Sequence, residues 1–433
     1  MKDFCKHFSS DRLRSNSRAI AFPNRICPSL IVPSASTSLV CRTAQRDAIH
    51  NVKLSGRGMT RHDQDGHRTI VSFGEPAPAR PYSIYVRPGL LDDFGPLIAE
   101  ACPAHLYAVL SDSRVAELYG ERVLAALDGC GLKASLFRFA AGEWNKTRDT
   151  WGELTDGMLR SGFGRDTVVV ALGGGVAGDL AGFVAATYMR GLPVVQIPTT
   201  LLAMLDSSVG GKTGVDTTAG KNLVGAFHQP SLVVIDPQVV KTLPAPQLAA
   251  GLAEAFKHGL ILDATYFEDL VRNLDRIFEG DAATLTEVIV RSVEIKAEVV
   301  GRDEREGGYR RILNFGHTIA HAQEAISGYA WLHGEAVAAG MVAEASIGEA
   351  IGVTRAKVAE KIRTALMAAR LPVEVDRDVD PAHFFKALEL DKKREGGRTM
   401  YTLLADVGRV AGSVEEGWTR EVPEETVREV LFG

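Results

Sequence analysis

The chain has 433 residues, of which 45% are hydrophobic and 24% charged, and it carries a formal net charge of -5. That is the profile of a globular chain long enough for two domains with stable cores. Mild acidity with unclustered Lys and Arg argues against a nucleic-acid partner, and no apolar run approaches the ~20 residues of a membrane helix, so no membrane partner is expected. Five cysteines, with no C-x-x-C spacing, indicate neither a disulfide framework nor a zinc ribbon and fit a reducing cytoplasm.

Residues 1–65 are rich in Ser, Arg and turn formers, hold three of the five cysteines and show no sustained periodicity. They read as a disordered extension. Their scarce acids faintly suggest a transit peptide, but Phe22-Pro-Asn-Arg-Ile-Cys-Pro breaks any amphipathic helix there. Translation from Met59 is the preferred explanation, and residues 1–58 are expected to be dispensable.

Strand-like apolar runs then follow at Tyr82 to Val86, Leu106 to Leu110, Ala134 to Phe139, Thr167 to Leu172, Val194 to Ile197 and Leu232 to Ile235. They alternate with helical patterns, which predicts an α/β layer with a largely parallel, Rossmann-like sheet over 66–245. After Pro244 and Pro246 the text changes to long helical segments, among them Leu248 to Leu260, Ala282 to Val300 and Ala336 to Ile351. A mainly helical domain over 246–433 is expected, with the active site in the cleft between the two.

The run ending at Leu172 leads into Gly173-Gly-Gly175-Val176-Ala-Gly178-Asp179, which satisfies G-x-G-x-x-G between a strand and a helix. Backbone N–H groups at such a helix start can hold a pyrophosphate. The ribose carboxylate of the usual fingerprint lies about twenty residues on, where this chain has Val194-Val-Gln-Ile-Pro-Thr199-Thr200. Asp112, at the end of an earlier strand, is a candidate replacement, and a plain turn aspartate is the alternative. Gly211-Lys212-Thr213 has the look of a P-loop, but the required upstream glycine is Asp206. The glycine-rich stretch from Asp206 to Asn222 therefore reads as flexible backbone bearing cations, suited to a phosphate or carboxylate.

Arg310-Arg-Ile-Leu-Asn314-Phe-Gly-His317-Thr-Ile-Ala-His321 is followed closely by His333. On one helix His317 and His321 would share a face with Arg310 and Asn314 on the turns before. Thr318 stands where a zinc protease needs Glu, which disfavours peptide hydrolysis. Glu254, three residues before Lys257, could add a carboxylate to two of the three imidazoles, leaving an open position as catalytic zinc requires. An ordinary i,i+3 ion pair is the alternative for Glu254 and Lys257.

Taken together, Gly-Gly-Gly-Val-x-Gly-Asp, Pro-Thr-Thr-Leu-Leu-Ala, Asp-Ser-Ser-Val-Gly-Gly-Lys-Thr, Gly-Lys-Asn, Thr-Leu-Pro, Gly-Leu-Ala-Glu, Leu-Asn-Phe-Gly-His-Thr and Leu-His-Gly-Glu-Ala-Val-Ala occur in one order. The chain over roughly 69–415 thereby resembles the 3-dehydroquinate synthases, members of the sugar phosphate cyclases. The resemblance implies a divalent metal, zinc or cobalt, held by Glu254, His317 and His333, which moves His321 to substrate or proton transfer. It implies that a phosphorylated sugar acid meets Arg190, Asp206, Lys212, Asn222, Lys257, Lys296, Arg310, Asn314, His321 and Lys392 or Lys393. Lys212, Lys257, Arg310, His321 and the additional acid/base Glu306 would be catalytic. NAD would contact Asp112, Gly142, Glu143, Lys146, Gly174, Gly175, Val176, Gly178, Asp179, Thr199, Thr200, Lys221 and Thr242. Ala250 departs from the polar residue some relatives place near the nicotinamide. The implied reaction turns 3-deoxy-D-arabino-heptulosonate 7-phosphate into 3-dehydroquinate and phosphate, a step of the shikimate route to aromatic amino acids, usually in a homodimer. Another cyclase or a metal-dependent polyol dehydrogenase on the same fold, and a catalytically silent NAD-binding module, are the competing readings.

Overall fold

The computed structural model describes residues 81–376, 378–392 and 398–433; the side chains of 390–392 and the N-terminal residues 1–65 treated above lie outside the described residues. Strand β1 (Ser83–Val86) leads to α1 (Gly95–Ala101) and β2 (Leu106–Asp112). Asp112 accepts from the N–H groups of Arg114 and Val115, both at 3.0 Å. Capped in this way, the next helix starts as α2 (Ser113–Val115), passes a π-turn at Ala116–Gly120 and continues as α3 (Glu121–Asp128). Then come β3 (Ala134–Phe139), α4 (Arg148–Arg160), β4 (Thr167–Gly173), α5 (Gly175–Thr187) and β5 (Val194–Pro198). β6 (Lys212–Thr217) and β7 (Gly220–Phe227) pair antiparallel as a separate hairpin, and β8 (Leu232–Ile235) completes the main sheet.

That sheet has the order β1-β8-β5-β4-β2-β3 with every pairing parallel. Each residue of β4, β5 and β8 is buried, as expected for strands covered on both faces. Side-chain alternation divides them: Val168, Val170 and Leu172 join the core that runs into the C-terminal helices. Val169 and Ala171 join the core under α4 and α5.

The six strands and the long helices agree with the sequence reading; two local expectations do not. The stretch from Asp206 to Asn222 is not a loose loop: Lys212 to Asn222 belong to the hairpin. Gly225 allows this, because a Cβ there would stand 2.1 Å from the Thr213 carbonyl oxygen. Arg310 and Asn314 do not extend the His317 helix either. They occupy a separate 3-10 turn, Tyr309–Asn314, and Gly316 at φ 84° breaks the chain before His317.

The C-terminal helices are α6 (Ala245–Leu262), α7 (Ala264–Arg272), α8 (Leu274–Phe278), α9 (Ala282–Arg302), α10 (His317–Ile326), α11 (His333–Ala350), α12 (Val358–Ala368), α13 (Pro381–Lys392) and α14 (Glu424–Phe432). Two short antiparallel pairings accompany them, β9 (Met400–Tyr401) with β12 (Arg420–Glu421) and β10 (Leu404–Asp406) with β11 (Arg409–Val410). Helix α11 crosses its neighbours at glycines: a Cβ on Gly334 would stand 1.9 Å from the Ala250 carbonyl oxygen, and one on Gly340 2.0 Å from that of Gly316. Those contacts bring the starts of α10 and α11 onto α6. Among the described residues no helix is long and apolar enough to cross a membrane.

Candidate active site

Glu254 lies on α6 and is fully buried, His317 opens α10 and His333 opens α11. The Glu254 Oε1 atom is 3.6 Å from His317 Nε2 and 3.4 Å from His333 Nε2, while Oε2 meets the ammonium of buried Lys257. Ligand atoms of the three residues all lie within 4.8 Å of one another. His321 stacks edge-on against His317, ring centroids 5.7 Å apart, and so stands beside the set.

The donor set fits a divalent cation. Both Glu254 oxygens are buried without a hydrogen bond of proper geometry, and two imidazole Nε2 atoms face them, one carboxylate and two nitrogens as catalytic zinc takes. The other ring nitrogens have separate acceptors: His317 Nδ1 is 3.2 Å from the Phe315 carbonyl oxygen and His333 Nδ1 is 3.4 Å from Glu324 Oε2. Burial pushes the Glu254 carboxyl up, but Lys257, His333 and His317 together outweigh this and hold it well below the usual carboxylate range. Burial and Lys257 press His317 down to about 3. Burial also opposes charge on His333, yet Glu254 and Glu324 hold it up at about 10.

Around this set the expected anion-binding residues are already paired. Lys296 contacts Asp206 at 2.6 Å, and His258 Nε2 is 3.6 Å from the same carboxylate. Lys212 pairs with Glu306, which also accepts from Asn314 Nδ2 at 2.9 Å. Burial raises the Glu306 carboxyl, but Lys212, Asn314 and Arg310 together more than reverse this, and it lies below its ordinary value. Arg310 is buried and donates to the carbonyl oxygens of Gly210, at 3.1 and 3.2 Å, and Glu304. Arg190 ends the short 3-10 turn Tyr188–Arg190 after α5, in left-handed backbone at φ 69°. The side chain of Lys392 and all of Lys393 lie outside the described residues.

The nucleotide candidates line the carboxyl ends of three adjacent strands, where open α/β sheets bind ligands. Asp112 ends β2, Gly173 ends β4 and Thr199 follows β5. A Cβ on Gly173, which is at φ 155°, would stand 2.5 Å from Ala177 Cβ, and one on Gly174 2.9 Å from Thr200 Cγ2, so glycine is what lets the strand end turn this tightly into α5. The first N–H groups of α5, those of Gly175 and Val176, lack intrahelical partners, while the Gly178 N–H donates to the Gly174 carbonyl oxygen at 2.9 Å. Lys146, buried after the Gly142–Glu143 turn, is held by Asp179 Oδ2 and Asn222 Oδ1, each at 2.6 Å. Lys221 reaches the other way, to Glu324 Oε1 at 3.1 Å, and lies 4.0 Å from Glu143. The Thr242 hydroxyl lies 2.6 Å from that of Tyr119. Helix α6 joins both halves: Gly251 lies against Leu201 and Leu202, next to Thr200, one turn before Glu254.

Sequence reasoning passed over three buried groups here, Glu324, His258 and Glu344. Glu324 carries a signal, standing seven residues after His317 on the same helix face. His258 directly follows Lys257. Glu344 accepts from the N–H groups of Gly316, Thr318 and Ile319 at the start of α10, at 2.8, 3.1 and 3.4 Å, a contact between helices that no local pattern reveals.

Family models described as 3-dehydroquinate synthase N-terminal and C-terminal match residues 136–250 and 251–394. The 3-dehydroquinate synthase of Symbiobacterium thermophilum is 46% identical over 331 residues, 76% of this chain and 92% of that protein. Among solved structures, a 2-epi-5-epi-valiolone synthase from Streptomyces hygroscopicus with NAD+ and Zn2+ bound is 29% identical, with TM-score 0.75, covering 84% of this chain and 98% of that one. A 2-deoxy-scyllo-inosose synthase complexed with carbaglucose-6-phosphate, NAD+ and Co2+ is 27% identical, with TM-score 0.74 and coverage of 82% and 97%.

Proposed function

The chain belongs to the 3-dehydroquinate synthase family, and from that membership we propose that its site converts 3-deoxy-D-arabino-heptulosonate 7-phosphate to 3-dehydroquinate and phosphate, as an NAD- and metal-dependent lyase. The observation that carries the reading is the convergence of Glu254, His317 and His333 beside Lys257 at the edge where the glycine turn of β4 and the Thr199–Thr200 turn meet. When bound, NAD would accept and return one hydride, and the metal would polarise the oxygen that is oxidised.

The remaining work falls to the chain's own groups. A carboxylate and a phosphate bring about three negative charges, which Lys212, Lys257, Lys296 and Arg310 can compensate locally although the whole chain is at -5. Asp206, Asn222, Asn314 and Arg190 would fix hydroxyls and the phosphate, and His321 and Glu306 would move protons. Asp112, Gly142, Glu143, Lys146, Gly174 to Asp179, Thr199, Thr200, Lys221 and Thr242 would hold the nucleotide. We take 66–245 and 246–433 as the two domains that supply these halves, in a homodimer of the cytoplasm.

The test is stoichiometry. With excess NAD, phosphate and dehydroquinate should appear in equal amounts over many turnovers while NADH does not accumulate. One NADH formed per substrate consumed would overturn the cyclase and favour a polyol dehydrogenase.

A further inference from the structure

Glu324 is a buried carboxylate shared between two elements. It lies on α10 seven residues after His317, only 4% exposed. Its Oε2 atom faces His333 Nδ1 at 3.4 Å, and Oε1 accepts from Lys221 Nζ at 3.1 Å. Lys221 belongs to β7, and its ammonium also lies 4.4 Å above the Tyr329 ring and 4.0 Å from Glu143. The next residue, Asn222, ties the same strand to Lys146 at 2.6 Å. A carboxylate buried this deeply is costly unless its partners stay in place.

The contact has a chemical consequence for His333. Its Nε2 faces Glu254 at 3.4 Å, and only a ring with its proton on Nδ1 offers the Nε2 lone pair to a cation. An acceptor at Nδ1 selects that tautomer and fixes the ring plane. We propose that Glu324 is a positioning residue: it holds His333 as an Nε2 metal ligand and, through Lys221, ties that ligand to the hairpin beside the nucleotide turn. This rests on the assignment of Glu254, His317 and His333 as the metal set.

The test measures metal dissociation constants for Zn2+ and Co2+ by chelator competition, without NAD or substrate, in the full chain and in the variants E324A, E324Q, K221M and H333A. Removing a carboxylate that orients a ligating histidine should weaken metal binding about 10–100-fold, as such partners generally do. E324Q, which keeps an acceptor and the volume but loses the charge, should fall between E324A and the parent. K221M leaves the Glu324–His333 contact intact, so it should weaken NAD binding, read by calorimetry, more than metal binding. A purely structural Glu324 would lower the melting temperature without moving the metal constant. The proposal is overturned if folded E324Q and E324A hold metal as tightly as the parent; should E324A not fold, E324Q alone decides. If H333A also retains metal, the ligand assignment fails and this proposal with it, a result distinct from H333A losing metal while the Glu324 variants keep it.

Discussion

Lys146 offers a perturbation whose size can be worked from the structure. Its side chain is 3% exposed and its ammonium is held between Asp179 and Asn222, with Glu143 at 3.9 Å. Burial lowers its pKa, but Asp179 and Glu143 outweigh this and keep it above the usual lysine value. Breaking a fully buried pair by removing one partner costs about 3–5 kcal/mol. The Asp179 side chain is 21% exposed and keeps some water, so K146M should cost nearer 2–3 kcal/mol, an order-of-magnitude figure after that discount. A raised lysine contributes fully below its unfolded value of 10.5 and loses its contribution only as pH climbs through the folded value. The deficit should therefore be constant across the neutral range.

Urea unfolding without NAD is the assay, because a residue that merely touched the cofactor would show no effect there. A cycle of K146M, D179N and the double variant should give a coupling of about 1–3 kcal/mol. A K146M loss under about 0.5 kcal/mol, the range of neutral surface changes, or strict additivity with D179N, would refute the reasoning.

Helix crossing is equally open to test: G340A sets a Cβ against the Gly316 carbonyl oxygen 2.0 Å away, and it should destabilise by more than about 2 kcal/mol and weaken metal retention, checked by thermal melting and metal analysis. Asp303 accepts from the N–H groups of Gly307, Gly308 and Arg310 at 2.9, 2.8 and 3.0 Å, anchoring the turn that bears Glu306. D303N should cost about 1–3 kcal/mol at neutral pH. Although burial raises this carboxyl, the donors leave it below its ordinary 3.8, so its contribution is present above that pH and fades as pH falls below it; unfolding curves on both sides check the sign. H333A leaves one imidazole and Glu254 and should abolish stoichiometric metal, measured by elemental analysis, with little change in the circular dichroism spectrum.

Much of this was legible in the sequence where one residue type admits one solution. Apolar β-branched runs such as Thr167 to Leu172 can be buried on both faces only as central strands, and the glycines of Gly173 to Gly178 mark the turn from β4 into α5 that forms the proposed nucleotide edge. The hairpin was not legible, because its glycines and lysines read as loop; it forms through cross-strand backbone approach at Gly225, a tertiary fact. Likewise the text around His317 and His321 announced a cation site, but spacing could not choose the third ligand. His333 reaches Glu254 because Gly334 and Gly340 let α11 lie directly on α6 and α10, and no local periodicity encodes which helices will cross.

Among the described residues, five lysines about the site are paired before any substrate arrives: Lys146 with Asp179, Lys212 with Glu306, Lys221 with Glu324, Lys257 with Glu254 and Lys296 with Asp206. An incoming polyanion must compete with these carboxylates, and a carboxylate that loses its lysine regains affinity for protons. Glu306 is the case to follow, since Lys212 helps to hold it below its ordinary value and the Lys212 side chain is 52% exposed, free to turn toward a phosphate. On the proposed reading, Glu306 stays ionised to lower pH in the free enzyme than in the substrate complex. The acid limb of kcat/KM, which reports the free enzyme, should then lie at lower pH than the acid limb of kcat, which reports the complex. E306Q should remove both limbs. Coincident limbs in the parent enzyme, or an order reversed, would show that substrate does not draw Lys212 from Glu306 and that the proton is moved elsewhere.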